Sequence, residues 1–257
     1  MYKILKRLTD VFLSMIVLII VSPVFAICIL ALACTGDHEI WYLQKRVGYK
    51  NNLFSILKFA TMIKNSPNLG TGSITLRNDP RVLPFGRILR KTKINELPQI
   101  FNVLNGTMSL VGPRPQMEVD FHRYPEFIQQ VIYNSKPGIT GIGSIIFRDE
   151  EMYLSLPSVD PIKLYKDEIA PYKGALEIWY QNNASIWIDL KLIFLTAWVI
   201  FSPETALPYK LFKNLPARPK WMDSFKTSLN SDCSSKLIIE TELIGDKSLT
   251  ENREQND

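Results

Sequence analysis

The sequence predicts a mostly α fold with a small β-hairpin (α+β), held at a membrane as a monotopic protein by a kinked, re-entrant N-terminal helix and interfacial amphipathic helices. Three observations predict it. Residues 11–34 carry no charge and contain a Ser-Pro step near their middle. Two short segments of alternating character follow between residues 39 and 59. Most of the remaining apolar residues recur at helical spacing. The chain divides accordingly into a membrane helix (1–36), a main domain (37–205) and a largely disordered extension (206–257).

The run from Val11 to Cys34 is 24 residues long, enough to cross a hydrocarbon core of about 30 Å as one straight helix. Ser22-Pro23 interrupts it, because proline removes a helix hydrogen bond and clashes with the preceding turn. Each half is about 16 Å long at helical rise, enough for one leaflet. Lys3, Lys6 and Arg7 precede the run and Lys45, Arg46 and Lys50 follow it. Basic residues on both flanks place both ends on the cytosolic side, so the helix enters and leaves by the same face. A spanning helix with a tolerated proline is the alternative. The segment is too long for a signal-peptide core and is expected to stay attached.

Thr35-Gly36-Asp37 reads as a turn into a hairpin made of "EIWYLQKRVG" and "LFSILKF", joined by "YKNN". Residues 64–80, rich in Gly, Ser, Asn and Pro, read as a long polar loop. Residues 116–135 and 161–181 have helical spacing, separated by the break "KPGITGIGS". In residues 184–201, Trp187, Leu190, Phe194, Trp198 and Phe201 form one stripe. Asp189 and Lys191 argue against a spanning role, and tryptophan suits the headgroup level, so this helix is expected at the interface. After Phe225 no aromatic anchor remains, which predicts disorder apart from "KLIIETELIG".

The net charge of +5 is unevenly spread. Residues 223–257 hold four Lys or Arg against eight Asp or Glu, leaving +9 on residues 1–222. A basic body fits phosphate-bearing partners. With no helix-turn-helix or zinc-finger pattern, nucleic acid is not among those expected. Cys28, Cys34 and Cys233 form no CxxC pair, and His38 and His122 lie far apart, so neither a disulfide framework nor a Cys/His metal cluster is expected.

The chemistry concentrates in residues 58–115. Arg81, Arg87, Arg90, Lys91 and Lys93 occupy 13 positions. In "KINELPQIFNVLNGTMSLVGPRP", Asn95 reads as an N-cap, Glu96 as a first-turn acid facing the helix dipole, Pro98 as a tolerated first-turn residue and Asn105-Gly106 as the C-terminal cap. Arg114, between Pro113 and Pro115, presents a guanidinium with little entropy to lose. Such a setting suits a phosphate or pyrophosphate, and a carboxylate within it can hold Mg²⁺.

The blocks "PVF", "QKRVG", "LKFATM", "NDPRVLPFGRILRKTKINELPQIFNVLNGTMSLVGPRP", "KPGITG" and "SIWIDLKLIFLT" resemble, in this order, the bacterial sugar transferases, small monotopic phosphoglycosyl transferases. The resemblance covers residues 1 to about 205. It implies transfer of a sugar 1-phosphate from a UDP-sugar to undecaprenyl phosphate, with release of UMP, initiating a surface glycan such as capsule, exopolysaccharide, O-antigen or a glycoprotein glycan. It implies a catalytic domain facing the cytosol at the bacterial inner membrane, contact with membrane lipid, Mg²⁺ as cofactor and downstream glycosyltransferases as partners. A homodimer is only the default symmetry.

In the family pattern an Asp-Glu dyad opens the "ELPQ" helix. The Asp attacks the sugar phosphate and the Glu binds Mg²⁺, and the Asp position is here Asn95. Three routes are compatible with an amide there: Glu96 attacks, the lipid phosphate attacks directly while Asn95 orients groups, or the chain binds UDP-sugar or lipid carrier without turnover. A second departure is Ala60, where the pattern has Arg. Lys58 is expected in the catalytic set with Asn95 and Glu96. Arg81 and Arg114, then Arg87 and Arg90, are expected to contact nucleotide or phosphate. Ser22 and Pro23 are expected to kink the membrane helix.

Overall fold

The computed structural model describes residues 1–35, 38–64, 66, 79–155, 160–202 and 206–223. Met1–Pro216 form one compact unit. The second unit, Ala217–Asp257, is described only over residues 217–223, and those residues carry none of the candidate site. Most of the polar loop expected at 64–80, the tip of the turn at 35–37 and "KLIIETELIG" lie outside the described residues.

The described residues are mostly helical, with two small sheets. Helix α1 (Tyr2–Cys34) continues through Pro23, and the Ser22 hydroxyl donates to Ile19 O at 2.8 Å. It is the one described helix long and apolar enough to cross a membrane. Both of its ends touch the same unit. Near the start, Arg7 donates to the carbonyls of Val103 and Leu104. Near the end, Phe25, Cys28 and Leu32 share a core with Phe59 and Leu89. Phe25 packs its ring against Phe59 at 5.3 Å and edge-on to Phe101 at 6.0 Å.

The hairpin forms where alternation predicts it. Strands β1 (Trp41–Val47) and β2 (Leu53–Phe59) pair antiparallel, with Tyr42 opposite Lys58 and Arg46 opposite Phe54. Because side chains alternate along a strand, Tyr42, Gln44 and Arg46 share one face with Phe54, Ile56 and Lys58. Helix α2 (Pro84–Lys91) opens on a proline. A 3₁₀ turn (Ile94–Glu96) leads into helix α3 (Gln99–Asn105), closed by Gly106 at φ +86°. Thus the C-terminal cap forms as expected, but the helix start differs. Asn95 lies inside the 3₁₀ turn, and α3 begins only after Pro98, with a 3.1 Å bond from Phe101 N to Pro98 O. Pro98, at φ −60°, stands at the N-cap, where a missing amide hydrogen costs nothing.

Strands β3 (Ser109–Val111) and β4 (Gly138–Thr140) form a short parallel pair. The region 116–135 holds two single-turn helices, α4 (Glu118–Phe121) and α5 (Glu126–Gln129), rather than one long helix. Pro125 separates them, since proline pushes its preceding residue away from helical geometry. Helices α6 (Ile142–Ile146) and α7 (Glu150–Leu154) follow. The expected helix at 161–181 forms as α8 (Pro161–Leu164), a π turn (Tyr165–Ile169) and α9 (Ala170–Asn183). The π turn sits just before Pro171, whose missing donor loosens the ladder.

Helix α10 (Ile186–Phe201) buries Asp189, Leu192, Leu195 and Val199 and turns the stripe of Trp187, Leu190, Phe194, Trp198 and Phe201 outward. Trp187 is 75% exposed and Phe201 89%. Helix α11 (Leu207–Leu211) precedes a bond from Trp179 Nε1 to Lys213 O at 3.1 Å.

Candidate active site

Three side chains singled out from sequence meet in one cluster. Lys58 comes from β2, Glu96 from the turn before α3, and Arg114 from the loop after β3. Arg114 grips Glu96 with two nitrogens, Nη2 to Oε1 at 2.7 Å and Nη1 to Oε2 at 3.3 Å, while Lys58 Nζ reaches Oε1 at 3.2 Å. The Lys58 and Glu96 side chains are 13% and 14% exposed, and that of Arg114 is 35%. A small cavity adjoins the cluster, lined by Arg46, Ile56, Lys58, Gln99, Arg114 and Pro115.

The local sequence explains how Arg114 is aimed. A Cβ on Gly112 would fall 2.3 Å from Lys136 O, so only glycine lets this strand end pass so close to the segment before β4. Pro113 and Pro115 restrict the backbone on either side. The Arg114 carbonyl accepts from Tyr133 Oη at 2.8 Å, Gln116 N donates to the same hydroxyl at 2.9 Å, and Val47 N donates to Gln116 O at 2.8 Å. Arg46 Nη1 donates to Pro115 O at 3.2 Å, with its other nitrogens held by Gln44 Oε1. The loop is therefore stitched to β1.

Helix α3 is fixed to β2 by Asn102. Its Oδ1 accepts from Leu57 N at 2.9 Å and its Nδ2 donates to Ser55 O at 2.8 Å, imitating a neighbouring strand. That pairing sets Lys58, one residue along, against Glu96, just ahead of the helix.

The electrostatics favour an anionic guest. Burial opposes the charge of Glu96, but Arg114 and Lys58 outweigh it and hold the carboxyl well below its usual range. Burial pushes Lys58 down to about 8; Glu96 pulls it up, whereas Arg46 and Arg114 push it further down. Burial and then Arg114 lower the pKa of Arg46. Lys93, in the left-handed region at φ 60°, is lowered by desolvation and then by Arg114. Lys58 and Arg114 contact Glu96, Arg46 and Lys93 add positive charge nearby, and Asp120, Glu150 and Glu151 offset part of it; guanidinium and ammonium groups of this kind suit diphosphate oxygens.

The remaining expected residues are placed differently. Asn95 is buried, and its Oδ1 has no hydrogen-bond partner. Arg81 is buried in a two-point pair with Asp79, Nε to Oδ1 at 2.9 Å and Nη2 to Oδ2 at 2.6 Å, and its Nη1 donates to Ser66 O at 2.9 Å. Its guanidinium is thus engaged internally rather than presented to a phosphate. Arg90 pairs with Glu151 at 3.5 Å, and Arg87 is exposed on α2. Ser22 and Pro23 lie in α1, and Ala60 is buried at the end of the hairpin.

No group of three or more His, Cys, Asp or Glu that could hold a metal occurs among the described residues. Glu96 nonetheless offers one attachment point. A carboxylate has about four lone-pair positions, and Arg114 and Lys58 occupy two on Oε1 and one on Oε2. Glu96 is the residue that would hold Mg²⁺, an ion that uses one or two carboxylates and completes its shell with water and substrate phosphate.

The family model described as "Bacterial sugar transferase" matches residues 1–203. The chain belongs to the bacterial sugar transferase family. Among its relatives is the undecaprenyl-phosphate galactose phosphotransferase of Salmonella typhimurium, 34% identical in an alignment that covers 79% of this chain and 42% of that protein. The undecaprenyl-phosphate glucose phosphotransferase of Komagataeibacter xylinus is 33% identical over 74% of this chain and 35% of its own length. The exopolysaccharide production protein ExoY of Sinorhizobium fredii is 30% identical over 74% of this chain and 83% of its own. The chain thus spans less than half the length of the first two.

For this family member, sequence reasoning missed Arg46, Gln99 and Asn102. Arg46 had a usable signal: the hairpin register places it on the face that carries Lys58. Asn102 had none, because its partners lie on β2, and Gln99 had none, because the cavity it lines forms only once separate elements meet.

Proposed function

We propose that the chain transfers a sugar 1-phosphate from a UDP-sugar to undecaprenyl phosphate, releasing UMP, at the cytosolic face of the bacterial inner membrane. The observation that carries this reading is the half-buried Lys58–Glu96–Arg114 cluster with Arg46 at its side, on a unit bearing apolar helices at its surface. The names of the relatives supply the substrate class.

The reaction proceeds by direct displacement. Asn95 has no carboxylate to attack with, and both oxygens of Glu96 are held by cations, which lowers its nucleophilicity. The lipid phosphate is already an anion and needs no base. Its oxygen bonds to the β-phosphorus of the UDP-sugar while the bond from that phosphorus to the bridging oxygen breaks, and UMP leaves with the bridging oxygen. Arg114, Lys58 and Arg46 bind the diphosphate and offset the charge gathering on the leaving group. Glu96 holds Arg114 and Lys58 in place, and it is the residue that would hold Mg²⁺, which when bound would supply further neutralisation of the diphosphate. Asn95 Oδ1 is left to orient a donor group.

The membrane helix is re-entrant in this reading. Contacts from both ends of α1 to the same unit support this, and the outward stripe of α10 supplies a second apolar contact.

The test is UMP release by purified protein with Mg²⁺, undecaprenyl phosphate and a panel of UDP-sugars, beside Asn95→Asp. Direct displacement predicts UMP only when lipid phosphate is present, whereas Asn95→Asp releases a stoichiometric burst without it. A burst from the native chain would refute the direct route. Activity confined to Asn95→Asp would make the native chain a binding protein.

A further inference from the structure

The charges just before the apolar run of α1 have more to do than face a headgroup. Lys6 pairs with Asp189 of α10 at 2.9 Å, an acid that also accepts from Tyr2 and Tyr180. Arg7 and Asp10, one turn apart on the same face, reach the turn between α3 and β3. Arg7 forks onto Val103 O and Leu104 O, the latter at 2.7 Å. Carbonyls in the last turn of a helix lack intrahelical partners, and of these two Gly106 N serves only Val103, at 3.0 Å. Asp10 is buried, and its Oδ1 accepts from Leu110 N at 3.0 Å. One edge of β3 is already paired with the β4 segment, Ser109 N to Pro137 O and Gly112 N to Thr140 O, both at 2.9 Å. The Leu110 amide faces the other edge, and the Asp10 carboxylate takes the place of a strand there.

These two contacts bracket residues 103–110. Upstream, α3 runs back to Glu96. Downstream, β3 runs forward to Gly112 and Arg114. We propose that Arg7 and Asp10 are positioning residues that seat this segment on the membrane helix and so set Arg114 against Glu96. The membrane helix is then part of the active-site scaffold as well as an anchor. The positioning itself stands on geometry; its effect on turnover rests on the transferase reading.

The test uses the full chain in lipid nanodiscs, comparing Arg7→Lys, Asp10→Ala and the conservative Asp10→Asn with Lys3→Ala as control. Lysine keeps the charge that orients the helix but cannot fork onto two carbonyls. Asparagine keeps an acceptor for Leu110. Hydrogen exchange is read over residues 103–116 and over the hairpin, alongside UMP release. Arg7→Lys and Asp10→Ala are expected to speed exchange at 103–111 by about tenfold or more while sparing residues 41–59. They should lower kcat more than they change the KM for UDP-sugar, and Asp10→Asn should restore both readouts towards the native chain. Unchanged exchange at 103–111, or a uniform rise across the chain, would overturn the inference. If the native chain releases no UMP with any donor, the proposed reaction fails while exchange still decides the positioning role.

Discussion

Lys58 is the residue through which pH should act on this site. Its amine loses its proton near pH 8 because burial and the neighbouring guanidinium groups outweigh the pull of Glu96. Below that pH it carries the charge a diphosphate needs; above it, that charge is gone while Glu96 stays ionised. The pH profile of kcat/KM, which reports the free enzyme, should therefore fall as pH rises through about 8. Lys58→Arg should remove that limb, since arginine stays protonated, and Lys58→Ala should lower kcat/KM by about a hundredfold. Glu177 makes the opposite case. Burial raises its pKa to about 8, against the pull of Lys173 and of the Gly143 and Arg114 amides. The folded protein keeps this proton at pH values where the unfolded chain has lost it, so stability falls as pH rises from about 4.3 to 8 and is flat above. Glu177→Gln keeps an acceptor for those amides and should flatten that dependence. A melting series from pH 5 to 9 checks it, and an unchanged slope would mean that other groups dominate.

Among the elements, α3 and the hairpin show what sequence can and cannot deliver. The hairpin announced itself by alternation and the end of α3 by Asn105-Gly106, because both signals are local. The start of α3 was misplaced, since an N-cap reading of Asn95 ignores Pro98, which stands at the N-cap. Lys58, Glu96 and Arg114 were legible because their charge types and rigid surroundings point to a phosphate site. The pairing of Arg81 with Asp79 was not legible, because its burial depends on how the chain folds over it. Asn102 was invisible for a similar reason: in a helix interior asparagine looks merely unfavourable, and its strand-like bonding exists only once β2 is beside it. That bonding predicts a cost. Asn102→Ala strands the Leu57 amide and the Ser55 carbonyl and should destabilise the unit by about 1–3 kcal/mol. Asn102→Asp should cost at least as much, because it removes the donor and adds a buried charge. Denaturant midpoints measure both, and equality with the native chain would show the pairing to be dispensable.

For the molecule as a whole, the apolar surface has an order that a soluble unit does not need. Ile19, Ile20, Ile27 and Leu30 of α1 and the aromatic stripe of α10 all face outward, whereas the opposite sides of both helices pack inward. A patch of this kind marks a membrane contact. In the proposed re-entrant arrangement, the topology would be set by where α1 is tied. Arg7 and Asp10 bind the α3–β3 turn, and Phe25, Cys28 and Leu32 bind the hairpin and α2, so pushing the far end across the bilayer would break one set of contacts. Pro23, lacking an amide donor midway between them, is the point where the helix yields most easily. Tags at the N-terminus and C-terminus should both be shielded from impermeant reagents in intact cells and react equally after permeabilisation. Pro23→Leu, which restores the missing hydrogen bond and stiffens the run, should expose the N-terminal tag in a measurable fraction of molecules. Exposure of that tag in the native chain would refute the re-entrant arrangement. Full shielding in Pro23→Leu would instead mean that the contacts at the two ends of α1, rather than the proline, hold the helix on one side.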